Sequence, residues 1–170
     1  MIHIKEGDIT KAKVDCIINP ANGLGVMDKG VSNALSRAGG PEVENSSKEA
    51  CFYHGLYKPG EVYWGDSGFM LNAGIKKICH AVVVYRPTDK PTRENIGTAI
   101  IDALVLIRDE DYTSCAAPAI GNSPRGITAR ETARNMMFIL DTISGMDIHI
   151  IDRNKEFIDA CKEYKGKVFI

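Results

Sequence analysis

The sequence predicts a three-layer α/β sandwich, and three observations carry that expectation. Short apolar runs with strand character alternate with stretches whose apolar residues recur at helical spacing. The two most glycine-rich loops each follow a strand and lead into a helix. A chain of 170 residues with 44% hydrophobic content can also bury roughly 70% of its unfolded surface, so it needs no metal or disulfide to hold a core.

Ile2 to Lys5 and Val14 to Ile18 read as the first strands. Gly30 to Arg37 reads as a helix closed by Gly39-Gly40, and Pro41, suited to a first helical position, opens another that runs to about Tyr53. Glu61 to Gly65 and Phe69 to Asn72 read as short strands around an Asp66-Ser67-Gly68 turn, and Ile78 to Tyr85 as a fully buried strand. Between Pro91 and Arg108, Ile96, Ile100, Ala103, Leu104 and Ile107 mark one helical face. A strand around Cys115 follows, then a helix from Thr128 to Ile143, a strand from Asp147 to Ile151 and a last helix from Asn154 to about Tyr164. No linker, repeat or low-complexity segment interrupts this order, so residues 1–170 read as one domain.

The loops carry the chemistry. In Val14 to Val31 a buried strand enters a turn rich in small residues and then a helix, a geometry that presents backbone amides to an anion. Gly23, Gly25 and Gly30 allow close approach of a ligand, and Asn19 and Asn22 stand at the strand's carboxyl end, where open α/β sheets bind ligands. Ala117 to Ile127 repeats the plan: Gly121-Asn122-Ser123-Pro124 with Gly126 forms a turn whose donors face outward, and Thr128 with Glu131 has capping-box spacing for the helix behind it. Two such loops can clamp a diphosphate. Neither has the spacing of a P-loop or of a dinucleotide fingerprint, which argues against triphosphate hydrolysis and hydride transfer.

These residues resemble the macro domain family, which binds ADP-ribose. Gly7-Asp8-Ile9-Thr10 is similar to the family's Gly-Asp-Ile-Thr opening, and Val14 to Asn22 to its Val-Asp-x-Ile-Val-Asn-Ala-Ala-Asn strand. Gly30-Val31 before Ala34-Leu35-Ser36-Arg37-Ala38-Gly39-Gly40 is similar to its first helix, and Pro118-Ala119-Ile120-Gly121 with Gly126 to its Pro-Ala-Ile-Gly-x-Gly-x-x-Gly loop. The resemblance implies a mixed central sheet between two helical layers. It implies that Asp8 accepts from the adenine amino group while the Ile9 amide donates to a ring nitrogen. It further implies ligand contacts at Asn19, Ala21, Asn22, Gly30 and Val31 in the first loop, and at Gly121, Asn122, Ser123, Pro124, Arg125 and Gly126 in the second.

The residues taken alone leave other roles open. Asp8 also suits a helix cap, Asn19 or Asn22 an Asx bond that pins the turn, and Arg125 either the diphosphate, the distal ribose or solvent. Departures from the family pattern are specific. Met27-Asp28-Lys29 replaces a glycine run and is closer to the branch that includes DNA-targeting antitoxin glycohydrolases, yet His80 to Pro87 offers no lysine to match that branch's nucleophile. Ser32 stands where MacroD-type hydrolases carry an aspartate, and it is too short and too weakly acidic to replace that base. Arg125 replaces a stacking aromatic and Ser123 a glycine.

A net charge of −1 gives no general basis for nucleic-acid binding. The cysteines Cys16, Cys51, Cys79, Cys115 and Cys161 lie mostly in apolar patterns without a Cys-x-x-Cys pair, which suggests buried free thiols in a reducing compartment. The start of the chain has no signal-like pattern, and no run approaches the ~18 apolar residues of a membrane span. A cytoplasmic protein is expected. His3, His54, His80 and His149 have no metal-ligand spacing, and neither a metal nor a cofactor is expected. The expected partner is ADP-ribose or an ADP-ribosylated macromolecule. Two functions follow: hydrolysis of an ADP-ribosyl ester, O-acetyl-ADP-ribose or ADP-ribose 1''-phosphate, with Asn22 as the catalytic candidate that fixes the terminal ribose, or recognition of ADP-ribose without turnover. Binding of another nucleotide, such as an RNA end, is a further alternative motivated by Met27-Asp28-Lys29 and Arg125.

Overall fold

Alternation along one strand divides the molecule into layers. A computed structural model describes residues 1–167, with strands β1 (Ile2–Glu6), β2 (Cys16–Asn22), β3 (Val62–Asp66), β4 (Lys77–Val84), β5 (Ser114–Ala117) and β6 (Asp147–Asp152). The helices are α1 (Gly30–Gly39), α2 (Pro41–His54), α3 (Arg93–Asp109), α4 (Ala129–Leu140) and α5 (Lys155–Tyr164). Cys16 and Ile18 of β2 pack among α3, α4 and α5, where Ile100, Met136 and Phe157 sit, whereas Ile17 joins Leu35 of α1 and Val43 of α2 on the opposite face. Helices thus cover both faces of the sheet. Its order is β1-β6-β5-β2-β4-β3, parallel throughout except for β3 against β4. This is the expected mixed sheet in a three-layer sandwich.

Helix starts follow local chemistry. Thr92 caps α3, Asn154 caps α5, and Thr128 with Glu131 completes both bonds of a capping box at α4. Pro41 occupies the first turn of α2 as read from the sequence.

One expected strand is absent. Phe69 to Asn72 lies within a 3-10 helix, Gly68–Ala73. Its outward Phe69 and Leu71 flank a buried Met70, which imitates the two-residue alternation of a strand. Backbone geometry decides otherwise. Gly68 takes φ +56°, with its Cα so close to Gly39 that a Cβ would lie 2.0 Å from that residue's carbonyl oxygen. The Ser67 hydroxyl donates to the Ile75 carbonyl at 2.6 Å, folding the segment back on itself. The antiparallel partner of β3 is therefore β4, with Val62 opposite Ala81.

β2 also runs further than expected, through Pro20 to Asn22. Its pairing with β5 covers Cys16 and Ile17, while its pairing with β4 continues to Asn22. From Ile18 onward one side of β2 is a free edge, where a proline with no N–H to donate is tolerated. All five cysteines are free and buried. Among the described residues no helix is long and apolar enough to cross a membrane.

Asp15 binds the strand starts together. Its carboxylate pairs with Lys76 at 2.9 Å and accepts from the Thr113 and Ser114 amides at 2.9 and 3.2 Å. Burial pushes its pKa up, but Lys76 and the two amides outweigh that and hold it at about 2. Because the folded value lies below the unfolded one, the stabilisation is complete above the ordinary aspartate range and is lost as pH falls through about 2. Asp15→Ala is expected to lower stability at neutral pH by about 1–3 kcal/mol. In urea titrations the gap between wild type and variant should close as pH falls from 5 to 2, on the order of the linkage range; a constant gap would rule out this role.

Candidate functional site

Where β2 and β5 part, a cleft of about 470 Å³ opens at the carboxyl ends of the parallel strands. Its wall comes from three connections. Ala21 and Asn22 end β2 and the start of α1 follows them, Pro87 to Asp89 follow β4, and Ala119 with Gly121 to Arg125 follow β5.

The first wall is the open end of α1. The amides of a helix's first turn have no intrahelical acceptor, and Lys29, at the cap position, gives them no side-chain bond. Lys29, Gly30, Val31 and Ser32 all line the cleft, so these donors and the positive end of the helix dipole meet its interior. Met27 turns away into the core, 2% exposed, and its amide donates to Glu44 of α2 at 2.5 Å. The bulk expected from Met27-Asp28-Lys29 thus reduces to Asp28 and Lys29 at the cleft. The Glu44 anchor was not legible in the sequence, since nothing in the helical pattern of α2 distinguishes it from other surface acids.

The facing wall is a closed turn. The Ile127 amide donates to Gly121 at 3.2 Å and the Gly126 amide to Ser123 at 3.0 Å. A Cβ on Gly126 would lie 2.2 Å from the Gly121 carbonyl oxygen, so the turn closes only with glycine there. Gly126 supports the turn from behind and is not part of the cleft wall. Arg125 crosses to the third connection and donates to the Thr88 carbonyl at 2.9 Å. Asp28, Asp89, Lys29 and Arg125 balance in charge, and no histidine or cysteine lines the cleft. No metal-binding cluster occurs among the described residues.

The family model for the macro domain matches residues 18–136. This chain belongs to that family. An O-acetyl-ADP-ribose deacetylase of Citrobacter koseri is 32% identical over 126 residues, covering 74% of this chain and 70% of the relative. The macrodomain of Mycobacterium tuberculosis DarG superposes with a TM-score of 0.79 at 24% identity, covering 89% of this chain and 97% of that one. A mutant Oceanobacillus iheyensis macrodomain solved with ADPR reaches 0.80 at 22% identity, covering 95% and 89%.

Within this macro domain the sequence-predicted residues divide into two groups. Ala21, Asn22, Gly30, Val31, Gly121, Asn122, Ser123, Pro124 and Arg125 come together at the cleft. Asn19, Asp8, Ile9 and Gly126 lie outside its wall. Asn19 is fully buried: its Nδ2 lies 3.1 Å from His80 Nδ1, and its Oδ1 accepts from the Ser32 hydroxyl at 3.0 Å. Its amide therefore pins structure behind the cleft, although through these partners and not through an Asx turn. Asp8 caps the 3-10 turn Ile9–Lys11, accepting from the Thr10 amide and hydroxyl at 3.0 and 2.7 Å, with Arg153 3.3 Å from its other oxygen. Burial raises its pKa, but the Thr10 bonds and Arg153 outweigh that and lower it, so the group is a carboxylate at neutral pH. It sits one connection away from the cleft. The Ala119 amide donates to Asp152 at 2.9 Å, and Asp152 pairs with Glu6 where β1 ends. Ile9 buries its side chain on the α1 and α2 face of the sheet, in the cluster of Ile17 and Leu35.

Asn22 is the anchor of the first loop. Its Oδ1 accepts from the Leu24 and Val26 amides at 3.1 and 3.2 Å, and its Nδ2 donates to the Val26 carbonyl at 2.9 Å. This leaves one N–H for a ligand. Asn22→Ala is expected to cost about 1–3 kcal/mol of stability, because two loop amides and one carbonyl lose their partner. Hydrogen exchange should accelerate at the Leu24 and Val26 amides; unaltered protection there would mean that the loop is held by something else.

Proposed function

We propose that this macro domain binds ADP-ribose or an ADP-ribosyl derivative in the cleft and hydrolyses an ester of it, with O-acetyl-ADP-ribose the leading substrate. The observation that carries the reading is the cleft at the parting of β2 and β5, with the uncapped start of α1 on one wall and the Gly121 to Arg125 segment on the other. A diphosphate laid there would meet the open amides of the first turn of α1. The adenine end would lie toward Asp8 and Ile9, and the terminal ribose toward Asn22. The names of relatives at about 30% identity support the choice of ester.

The wall contains no activated nucleophile: it holds no histidine or cysteine, and the Ser32 hydroxyl meets only Asn19 Oδ1 and the Pro20 carbonyl. Hydrolysis would proceed by attack of a bound water on the acyl carbon: the new carbon–oxygen bond forms, the bond to the ribose oxygen breaks, and the ribose oxygen leaves with a proton while the acid is released. A ligand phosphate oxygen can take the water's proton, and amides held against developing negative charge supply the rest. Asp28 and Asp89 are the acids at hand on the protein. The same absence favours a second reading, recognition without turnover. The buried thiols fit a reducing compartment such as the cytoplasm, and the full 170 residues are taken as one module.

Calorimetry should give a micromolar dissociation constant for ADP-ribose, roughly −7 to −8 kcal/mol. Asp8→Ala should weaken it by about 1–3 kcal/mol if the carboxylate accepts from adenine, and an unchanged affinity in the folded variant would remove that contact. Incubation with O-acetyl-ADP-ribose should release acetate, and Asn22→Ala should slow release at least tenfold, on the order of a lost orienting contact. ADP-ribose binding without acetate release would leave the recognition reading in its place.

A further inference from the structure

The strand order gives the cleft a direction. Asp8 follows β1 and Thr88 follows β4, and in the order β1-β6-β5-β2-β4-β3 these strands lie on opposite sides of the parting of β2 and β5. A ligand with its adenine toward Asp8 and its diphosphate at the parting therefore points its terminal ribose toward β4. Asn22 lies on that path, paired with Val84 of β4. At this end the cleft is crossed: Arg125, from the connection after β5, donates through Nη1 to the Thr88 carbonyl at 2.9 Å, and both residues line the cleft.

The crossing is stretched between two stiff supports. On the β4 side the Arg86 amide donates to Asp89 Oδ2 at 2.9 Å and the Asp89 amide donates back to the Arg86 carbonyl at 3.0 Å, while the ring of Pro87 fixes φ between them. On the β5 side Pro124 precedes Arg125 inside the turn that the Gly126 and Ile127 amides close. Because the acceptor is a backbone carbonyl held by its own turn, the tie depends on the arginine side chain alone.

We propose that the bond between Arg125 and Thr88 is a strap that bars the terminal-ribose end of the cleft to a polypeptide, so that the substrate class is the free, small ADP-ribosyl ester and not an ADP-ribosylated protein. An acetyl group adds only a few atoms to the ribose. A protein joined there must carry its backbone out past the strap, at the cost of the hydrogen bond and of the order in both turns. Arg125 is then a specificity residue that acts by closure. The inference rests on the proposed ADP-ribose site and narrows its substrate.

Calorimetry would compare ADP-ribose with a peptide joined through the terminal ribose of ADP-ribose by a hydrolysis-resistant link, on the wild type, Arg125→Met and Arg125→Lys. The readout is the ratio of the two affinities, since loss of a direct contact between Arg125 and the ligand's phosphates would weaken both alike and leave the ratio as it was. The wild type should prefer the free ligand by about tenfold or more, on the order of one charge-assisted hydrogen bond. Arg125→Met, which keeps the length without an N–H, should bring the preference down to about twofold, and Arg125→Lys, which keeps a donor of similar reach, should preserve it. Equal affinity for both ligands in the wild type, or an unchanged preference in Arg125→Met, would overturn the strap. A wild type that binds ADP-ribose but releases no acetate from the ester would remove hydrolysis while the ratio still decides the strap; one that binds neither ligand would remove the proposed function and this inference with it.

Discussion

β2 and β5 share two residues of pairing and then separate. Every part of the candidate site depends on that parting. β5 ends at Ala117, while β2 stays bound to β4 up to Asn22, and the Gly23 amide continues the attachment by donating to Val84 and Tyr85 at 3.0 and 2.9 Å. β2 is thus rigid on one side and unpaired on the other. Had β5 continued alongside it, the crevice between their ends would be filled by a backbone ladder, and the amides of α1 would face a strand. Pro20 enforces the separation, because it cannot supply an N–H to a longer β5.

One wall that results is the open first turn of α1. Backbone donors are fixed by the fold and do not titrate, so the cleft does not need a surplus of positive side chains to attract an anion. Its acids and bases cancel, and Arg125, the cation best placed to reach over it, is tied to the Thr88 carbonyl. Side chains hold this backbone in place: Glu44 holds the Met27 amide, Asn22 holds Leu24 and Val26, and Asn19 holds Ser32. Discrimination then comes from geometry, through where donors and acceptors point, more than from net charge.

The alternation of strands and helices was legible because each layer follows from period-two and helical patterns that burial imposes directly. The capping box at Thr128 was local chemistry and equally visible in sequence, whereas the caps at Thr92 and Asn154 came from the structure. Phe69 to Asn72 misled because exposed and buried residues alternate there for a reason unrelated to pairing, namely the tight approach of Gly68 to Gly39. At the site, backbone loops could be placed from glycine and asparagine spacing, so Ala21, Asn22, Gly30, Val31 and the Gly121 to Arg125 segment gathered at one cleft. Side-chain partners across the fold could not. Asn19 and His80 are 61 positions apart, and the serine at position 32 looked like a missing acid until its two acceptors were seen.

The five buried thiols bear on how the molecule meets reactive chemistry. Burial lifts the pKa of Cys51, and it pushes Cys115 and Cys161 up to about 12. The thiolate, which is the nucleophile, is therefore scarce at neutral pH, and packing denies access to the little that forms. A cysteine-bearing protein becomes chemically silent toward alkylating probes for as long as it stays folded. Modification would report unfolding, residue by residue, and a cysteine introduced on the rim of the cleft would be the single reactive handle against an inert background.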